Sequence, residues 1–190
     1  VQIIIDETKR LTNLVNDMLD LSKLQAGVKE LHAVSMNLTD EIRSIIERYE
    51  TLLKQDEYDI RFEYREDVII QGDVIKLDQV IYNLINNAIN YSGEDHQVIV
   101  KQLLEQGRVR IEIIDHGPGI EKDKLAYIWE RYYKVDKTHV RSRVGSCLGL
   151  SIVKAVLELH KAEYGVLSEE GVGSTFWFSL PYSKSQNEDG

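Results

Sequence analysis

Four asparagines, Asn83, Asn86, Asn87 and Asn90, crowd one short stretch of the chain. On an α-helix this spacing projects all four from a single arc about 100° wide. Asparagine is a poor helix former, and a merely solvated face ordinarily carries Glu, Lys or Gln. A cluster of neutral amides suits a site where side-chain oxygens ligate Mg²⁺ and nitrogens donate to phosphate. A plain polar outer face is the competing reading. The second candidate is Asp-His-Gly-Pro-Gly-Ile, Asp115 to Ile120, directly after the strand-like run Arg108–Ile114. Glycines flanking a proline let backbone approach a flat ligand closely. An aspartate there can accept a hydrogen bond from an exocyclic amine such as that of adenine; the same residues also make an ordinary capped turn. The third is Val144–Lys154, a glycine-bearing loop opening into a helix whose first amides form an anion site. No Gly-Lys-Ser/Thr follows, so it is not a Walker A loop. Nor does it follow the first strand of a βαβ unit, as a dinucleotide fingerprint must.

The elements that position these residues can be read from periodicity. Asp73 can cap a helix that runs to about Tyr91, with Leu77, Val80, Ile81, Leu84, Ile85, Ala88 and Tyr91 filling the rest of its circumference. Ahead of it, Ile42, Ile45, Ile46, Tyr49, Leu52 and Leu53 recur at helical spacing, with Asn37 or Thr39 as N-cap after a short link. Residues 59–65 alternate as a half-buried strand, and Val68–Ile70 reads as a second. Strands near 97–104 and 108–115 are joined by a turn at Gln106-Gly107. A helix over 148–160 and strands over 164–168 and 174–180, turning at Glu170-Gly171, complete the pattern. The irregular stretch between Gly117 and Gly149 has the length of a functional lid. At the start, Ile4, Leu11 and Met18 lie at sevenfold spacing with Leu14, Leu21 and Val28 offset by three. That heptad-like stripe needs a partner helix. Interleaved helices and antiparallel strands predict an α+β fold, a two-layer sandwich with a mixed, mostly antiparallel sheet covered by helices.

Composition sets the limits. With 43% hydrophobic and 29% charged residues, the chain reads as soluble and globular, without a disorder signature. No apolar run approaches the roughly 20 residues that span a bilayer. No signal segment is evident, and the chain opens inside a helical pattern, as a fragment would. The single cysteine, Cys147, excludes an internal disulfide framework and fits a reducing compartment. A net charge of −9 argues against a nucleic-acid partner, which would need a basic face.

Taken together, Asn83–Ser92, Asp115–Ile120, Trp129–Asp136, Gly145–Lys154 and Gly171–Pro181 resemble the N, G1, F, G2 and G3 boxes of bacterial sensor histidine kinases, in order and spacing. Asn16–Gly27 is similar to the end of the second helix of that family's dimerisation and phosphotransfer domain. The resemblance implies a fold of the histidine kinase, gyrase and chaperone ATPase type. It divides the chain into that helix (1–30), a catalytic ATP-binding domain (31–182) and a polar tail (183–190). It implies ATP and Mg²⁺ as cofactors, with Asn87 ligating the metal and Asn83 assisting at metal and phosphates. Asp115 would recognise the adenine amino group, with Gly117, Gly119 and Ile120 shaping the pocket. Asn90, Tyr91 and Thr175 would line the nucleotide site. Gly145, Ser146, Cys147, Leu148, Gly149 and Leu150 would close over the phosphates. Lys134 would be a phosphate contact or simply a solvated charge, and Tyr132 and Tyr133 would be lid anchors. The implied partners are the kinase's own phosphoacceptor helix, a response regulator and a second copy. Membrane attachment would come only through N-terminal segments, placing this portion in the cytoplasm.

Three departures qualify the resemblance. Asn90 stands where the family commonly has lysine. Cys147 stands where it usually has glycine; a β-carbon there weakens nucleotide binding if the backbone needs positive φ, or is simply tolerated. The phosphoacceptor is missing, since none of His32, His96, His116, His139 and His160 precedes an acidic residue. The expected activity is transfer of the ATP γ-phosphate to a histidine outside this set. The rival readings are another ATPase or serine kinase of the same fold, and a scaffold with weakened catalysis.

Overall fold

The computed structural model describes residues 31–52, 58–130 and 148–184, together with Val15, Leu19 and Ser22, which are helical and exposed. The element order is β1 (Val34–Asn37), α1 (Leu38–Leu52), β2 (Asp59–Glu63), β3 (Val68–Gly72), α2 (Val74–Tyr91), β4 (Gln97–Glu105), β5 (Arg108–Asp115), α3 (Gly149–Leu159), β6 (Glu163–Glu169), β7 (Gly173–Pro181) and β8 (Ser183–Lys184). Five strands form the main sheet in the order β2-β4-β5-β7-β6. The β2·β4 pair is parallel and the other three are antiparallel, so the sheet is mixed as expected.

Alternation along the strands decides the core. Val98 and Val100, then Val109, Ile111 and Ile113, then Phe176, Phe178 and Leu180 are all buried and share one face. The three helices cover that face with Ile42, Ile45, Leu77, Ile81, Leu84, Ile85, Ile152 and Val156, each no more than 1% exposed. Burying these side chains is the main stabilisation of the two layers, each contributing about 1.5–3 kcal/mol. Of the two candidate caps for α1, Asn37 is the one used, its Oδ1 accepting the Asp40 amide at 3.2 Å. Thr39 is buried instead; its hydroxyl donates to Gln102 Oε1 at 2.8 Å and accepts the Val68 amide at 3.1 Å. This pins α1 to β3 and β4.

Two expectations are revised. The link before α1 contains β1, which pairs antiparallel with β3 from Val34↔Gly72 to Asn37↔Ile69. The polar tail begins with β8, paired to the other edge of β3 through Ile69↔Ser183. These three strands make a small second sheet. β8 has only two residues, and the alternation of β1, Val-Ser-Met-Asn, runs over only four, so pairing with β3, with Met36 buried in the core, is what marks them as strands. The heptad-like stripe falls on positions outside the described residues.

Candidate functional site

The helix α2 starts at Asp73, whose carboxylate accepts the Lys76 amide at 3.2 Å, the Lys76 ammonium at 2.5 Å and the His32 amide at 3.2 Å. Burial opposes this charge, but the lysine and the amides outweigh it and hold the carboxyl below its ordinary range. Asn83, Asn87 and Asn90 are half-buried along one side of α2. The Asn83 amide lies beside the first turn of α3: a β-carbon added at Gly149 would sit 3.4 Å from Asn83 Oδ1. Asn86 differs. It is 4% exposed, and its Oδ1 accepts the Tyr49 hydroxyl of α1 at 2.6 Å. The expected quartet is therefore split, with three amides at the open side and one pinning two helices together.

The Asp115 loop is built mostly from backbone. Asp115 ends β5 as the last member of the inward-facing row Val109, Ile111, Ile113, Asp115 and is 2% exposed. Burial pushes its carboxyl up to about 6, although the Gly117 and Ser174 amides pull the other way. The Gly117 amide donates to Asp115 Oδ1 at 3.0 Å. Gly117 has to be glycine because a β-carbon would collide with the carbonyl oxygen of Tyr91, at the end of α2. Gly119 takes φ +72° against the Glu169 carbonyl. The loop is then tied to the β6–β7 hairpin: Ile120 N–H donates to Ser168 Oγ at 2.8 Å, and Gly171 N–H to the Pro118 carbonyl at 2.7 Å. On the other side, His116 Nδ1 lies 2.7 Å from Asp95 Oδ2.

Position by position, the sequence expectations divide. Asn83, Asn87 and Asn90 are half-buried on α2, with Asn83 against Gly149, and Gly117 lies against Asp115 and the carbonyl of the 46%-exposed Tyr91. Gly119 and Ile120 form the far arm of the Asp115 loop. Leu148 is fully buried and Leu150 half-buried at the start of α3, a helix that no side chain caps. Its first turn can therefore face an anion. Thr175 pairs with Ile114 and so sits on the opposite face of the sheet from Asp115. Ser174 stands across from Asp115 instead and is 6% exposed. Strand alternation, counted back from Phe176 and Phe178, could have found it. Tyr132, Tyr133, Lys134, Gly145, Ser146 and Cys147 lie outside the described residues. Sequence reasoning gave no role to Trp129, whose ring packs edge-on against Tyr164 at 5.2 Å and Phe176 at 5.8 Å. It fixes the segment that enters the expected lid.

No group of His, Cys, Asp and Glu among the described residues could hold a metal ion. Asn83 Oδ1 lies near the start of α3, Asn87 is half-buried one turn further along α2, and hard neutral amide oxygens of this kind fit Mg²⁺. The Asn86 oxygen is already used by Tyr49. The arrangement offers a buried carboxylate that can accept, a face of half-buried amides that can ligate or donate, and an uncapped helix start that can face negative charge.

Comparison with known proteins gives the family and the fold. Residues 72–184, more than half of the chain, match the family described as histidine kinase-, DNA gyrase B- and HSP90-like ATPase. The sensor histidine kinase WalK of Bacillus subtilis is 33% identical over 97% of this chain and 30% of its own length. The sensor protein kinase WalK of Staphylococcus aureus is 34% identical over 97% of this chain and 45% of its own. The chain thus spans less than half the length of these relatives. Full-length ShkA, solved in complex with AMPPNP, superposes with a TM-score of 0.78 at 27% identity, covering 93% of this chain and 36% of that one. The chain belongs to the histidine kinase-, DNA gyrase B- and HSP90-like ATPase family and carries the ATP-binding catalytic module of a bacterial sensor histidine kinase.

Proposed function

We propose that this module binds Mg-ATP between the Asp115 loop, the amide face of α2 and the start of α3, and transfers the γ-phosphate to a histidine other than its own five. The observation that carries this is the packing of both the Asp115 loop and the start of α3 on one helix. Gly117 closes on the Tyr91 carbonyl, and Gly149 lies against Asn83. Base recognition and phosphate handling therefore share the frame of α2.

Asp115 accepts the adenine amino group. Asn87, with Asn83 assisting, holds Mg²⁺ through amide oxygen; the ion supplies charge neutralisation at the phosphates. The first turn of α3 faces the phosphate oxygens. Catalysis then rests on positioning and charge neutralisation, as in phosphoryl transfer generally. In the whole protein, residues 1–30 contribute the second helix of a dimeric phosphotransfer bundle, and the phosphate passes on to a response regulator aspartate. Among the described residues no helix is long and apolar enough to cross a membrane. Attachment through further N-terminal segments would place this module on the cytoplasmic side.

The test is labelled ATP with a separately supplied first-helix fragment bearing the acceptor histidine. Label should appear on the fragment, and Asn87→Ala should reduce transfer by about 100-fold or more. ATP binding without transfer would turn the reading to a scaffold. Steady phosphate release without label would turn it to an ATPase, a rival disfavoured because Asn83 stands where those enzymes place glutamate.

A further inference from the structure

Ser168 lies outside all five motifs, yet its hydroxyl is at the centre of the contacts that hold the base-recognition loop. It receives the Ile120 amide at 2.8 Å, lies 2.9 Å from the Gly173 carbonyl, and lies 2.9 Å from Ser174 Oγ. A serine hydroxyl has one proton and two lone pairs. The Gly173 carbonyl can only accept, so the Ser168 proton goes there. Its lone pairs then take the Ile120 N–H and the Ser174 O–H. That assignment leaves no proton on Ser174 free to turn elsewhere.

Ser174 is the cross-strand partner of Asp115, with both side chains on the inward face and both nearly fully buried. With its proton committed to Ser168, Ser174 presents only lone pairs beside a carboxylate that also only accepts. Resting on the adenine-site reading above, we propose that Ser168 is a positioning residue for base selection. It fixes the arm of the Asp115 loop through Ile120 and keeps Ser174 from donating to Asp115, so the pocket end offers acceptors alone. A ring bearing an exocyclic amine fits such an end; a ring without one leaves it unmatched. Removing the Ser168 hydroxyl releases the Ser174 proton, which then competes for the Asp115 carboxylate, and frees the Ile120 amide.

The experiment measures binding of ADP and of purine riboside 5′-diphosphate, which lacks only the 6-amino group, by calorimetry on the full 190-residue chain. Their affinity ratio isolates the amine from the ribose and phosphates. Wild type should prefer ADP; Ser168→Ala should shrink that preference about 10-fold, the scale of one hydrogen bond; Ser168→Thr, which keeps the hydroxyl, should restore it. Equal weakening of both ligands in Ser168→Ala, or no change in either, overturns the proposal. Failure of Ser168→Thr to restore the ratio, in a variant with wild-type thermal stability, does the same. Wild type that binds neither ligand, or both alike, overturns the base-site reading itself and is thereby distinguishable.

Discussion

The Asp115 loop and the amide face of α2, the two halves of the proposed nucleotide site, are held in opposite ways. At the loop, the functional groups are held by close backbone packing and one hydroxyl: the carboxylate by two amides, Gly117 by its close approach to the Tyr91 carbonyl, and Ile120 by Ser168 Oγ of the hairpin. On α2 the functional groups are half-buried side chains on a regular helix, and the buried one, Asn86, serves α1 instead. A rigid, desolvated acceptor selects its ligand strongly but strains the empty protein. A helix face stabilises the protein and leaves its exposed amides adjustable. Substitutions should therefore separate binding from stability in opposite directions in the two regions.

The largest effect is expected at Asp115. Asp115→Asn replaces the carboxylate proposed to accept from the base with an amide that can turn its donor outward. ADP affinity should fall about 100-fold or more. The empty protein should not be destabilised, because the native carboxyl is raised from 3.8 to about 6 by burial. The sign follows from proton binding. Between these values the folded chain keeps a proton that the unfolded chain has lost, so this contribution to stability is fully present below 3.8 and is lost as pH rises through about 6. Near neutral pH, Asp115→Asn should thus gain about 1 kcal/mol in denaturant unfolding, net of the poorer fit of its amide to the Gly117 and Ser174 N–H groups. In the wild type, ADP affinity should drop as pH falls below about 6. A Gly117→Ala change comes next and joins the two penalties. The collision with the Tyr91 carbonyl forces loop and helix apart, which should cost about 1–3 kcal/mol and about 10-fold in ADP affinity together. Loss of stability with intact binding would show that the loop can leave α2 and still recognise the base.

How far the sequence could be read follows the same division. The helix α2, its Asp73 cap and the β4–β5 turn were legible because apolar spacing and one or two local residues dictate them; Gln106 and Gly107 both adopt positive φ, as a tight hairpin turn requires. Asp115 and its glycines were legible from order and type alone. Ser168 was not, since its role arises from a hydroxyl contact between a hairpin and a loop about fifty residues away in sequence, whereas strand alternation places Ser174 but not its hydroxyl contact to Ser168. β1 and β8 were missed because each depends on β3, which lies distant in the chain. Asn86 was misread for a related reason. Helical spacing showed that four amides share an arc, but not where the neighbouring helix crosses it.

That crossing gives the smallest and most discriminating test. Asn86→Ala removes the acceptor of the Tyr49 hydroxyl, which is left with the Tyr82 carbonyl at 3.3 Å. Tyr49→Phe keeps the ring stacked on Tyr82 but leaves the buried Asn86 oxygen without its donor. Each should cost about 1–2 kcal/mol in thermal or denaturant unfolding. The two losses should be strongly non-additive in the double variant, because one contact is being removed twice. ADP affinity should stay within about twofold of wild type in both, since the two groups are buried against each other between α1 and α2. A drop of about 10-fold or more in Mg-ATP affinity for Asn86→Ala, at unchanged stability, would reunite the four amides as one site. It would also move the boundary between binding and packing on α2 from between Asn86 and Asn87 to the far side of Asn86.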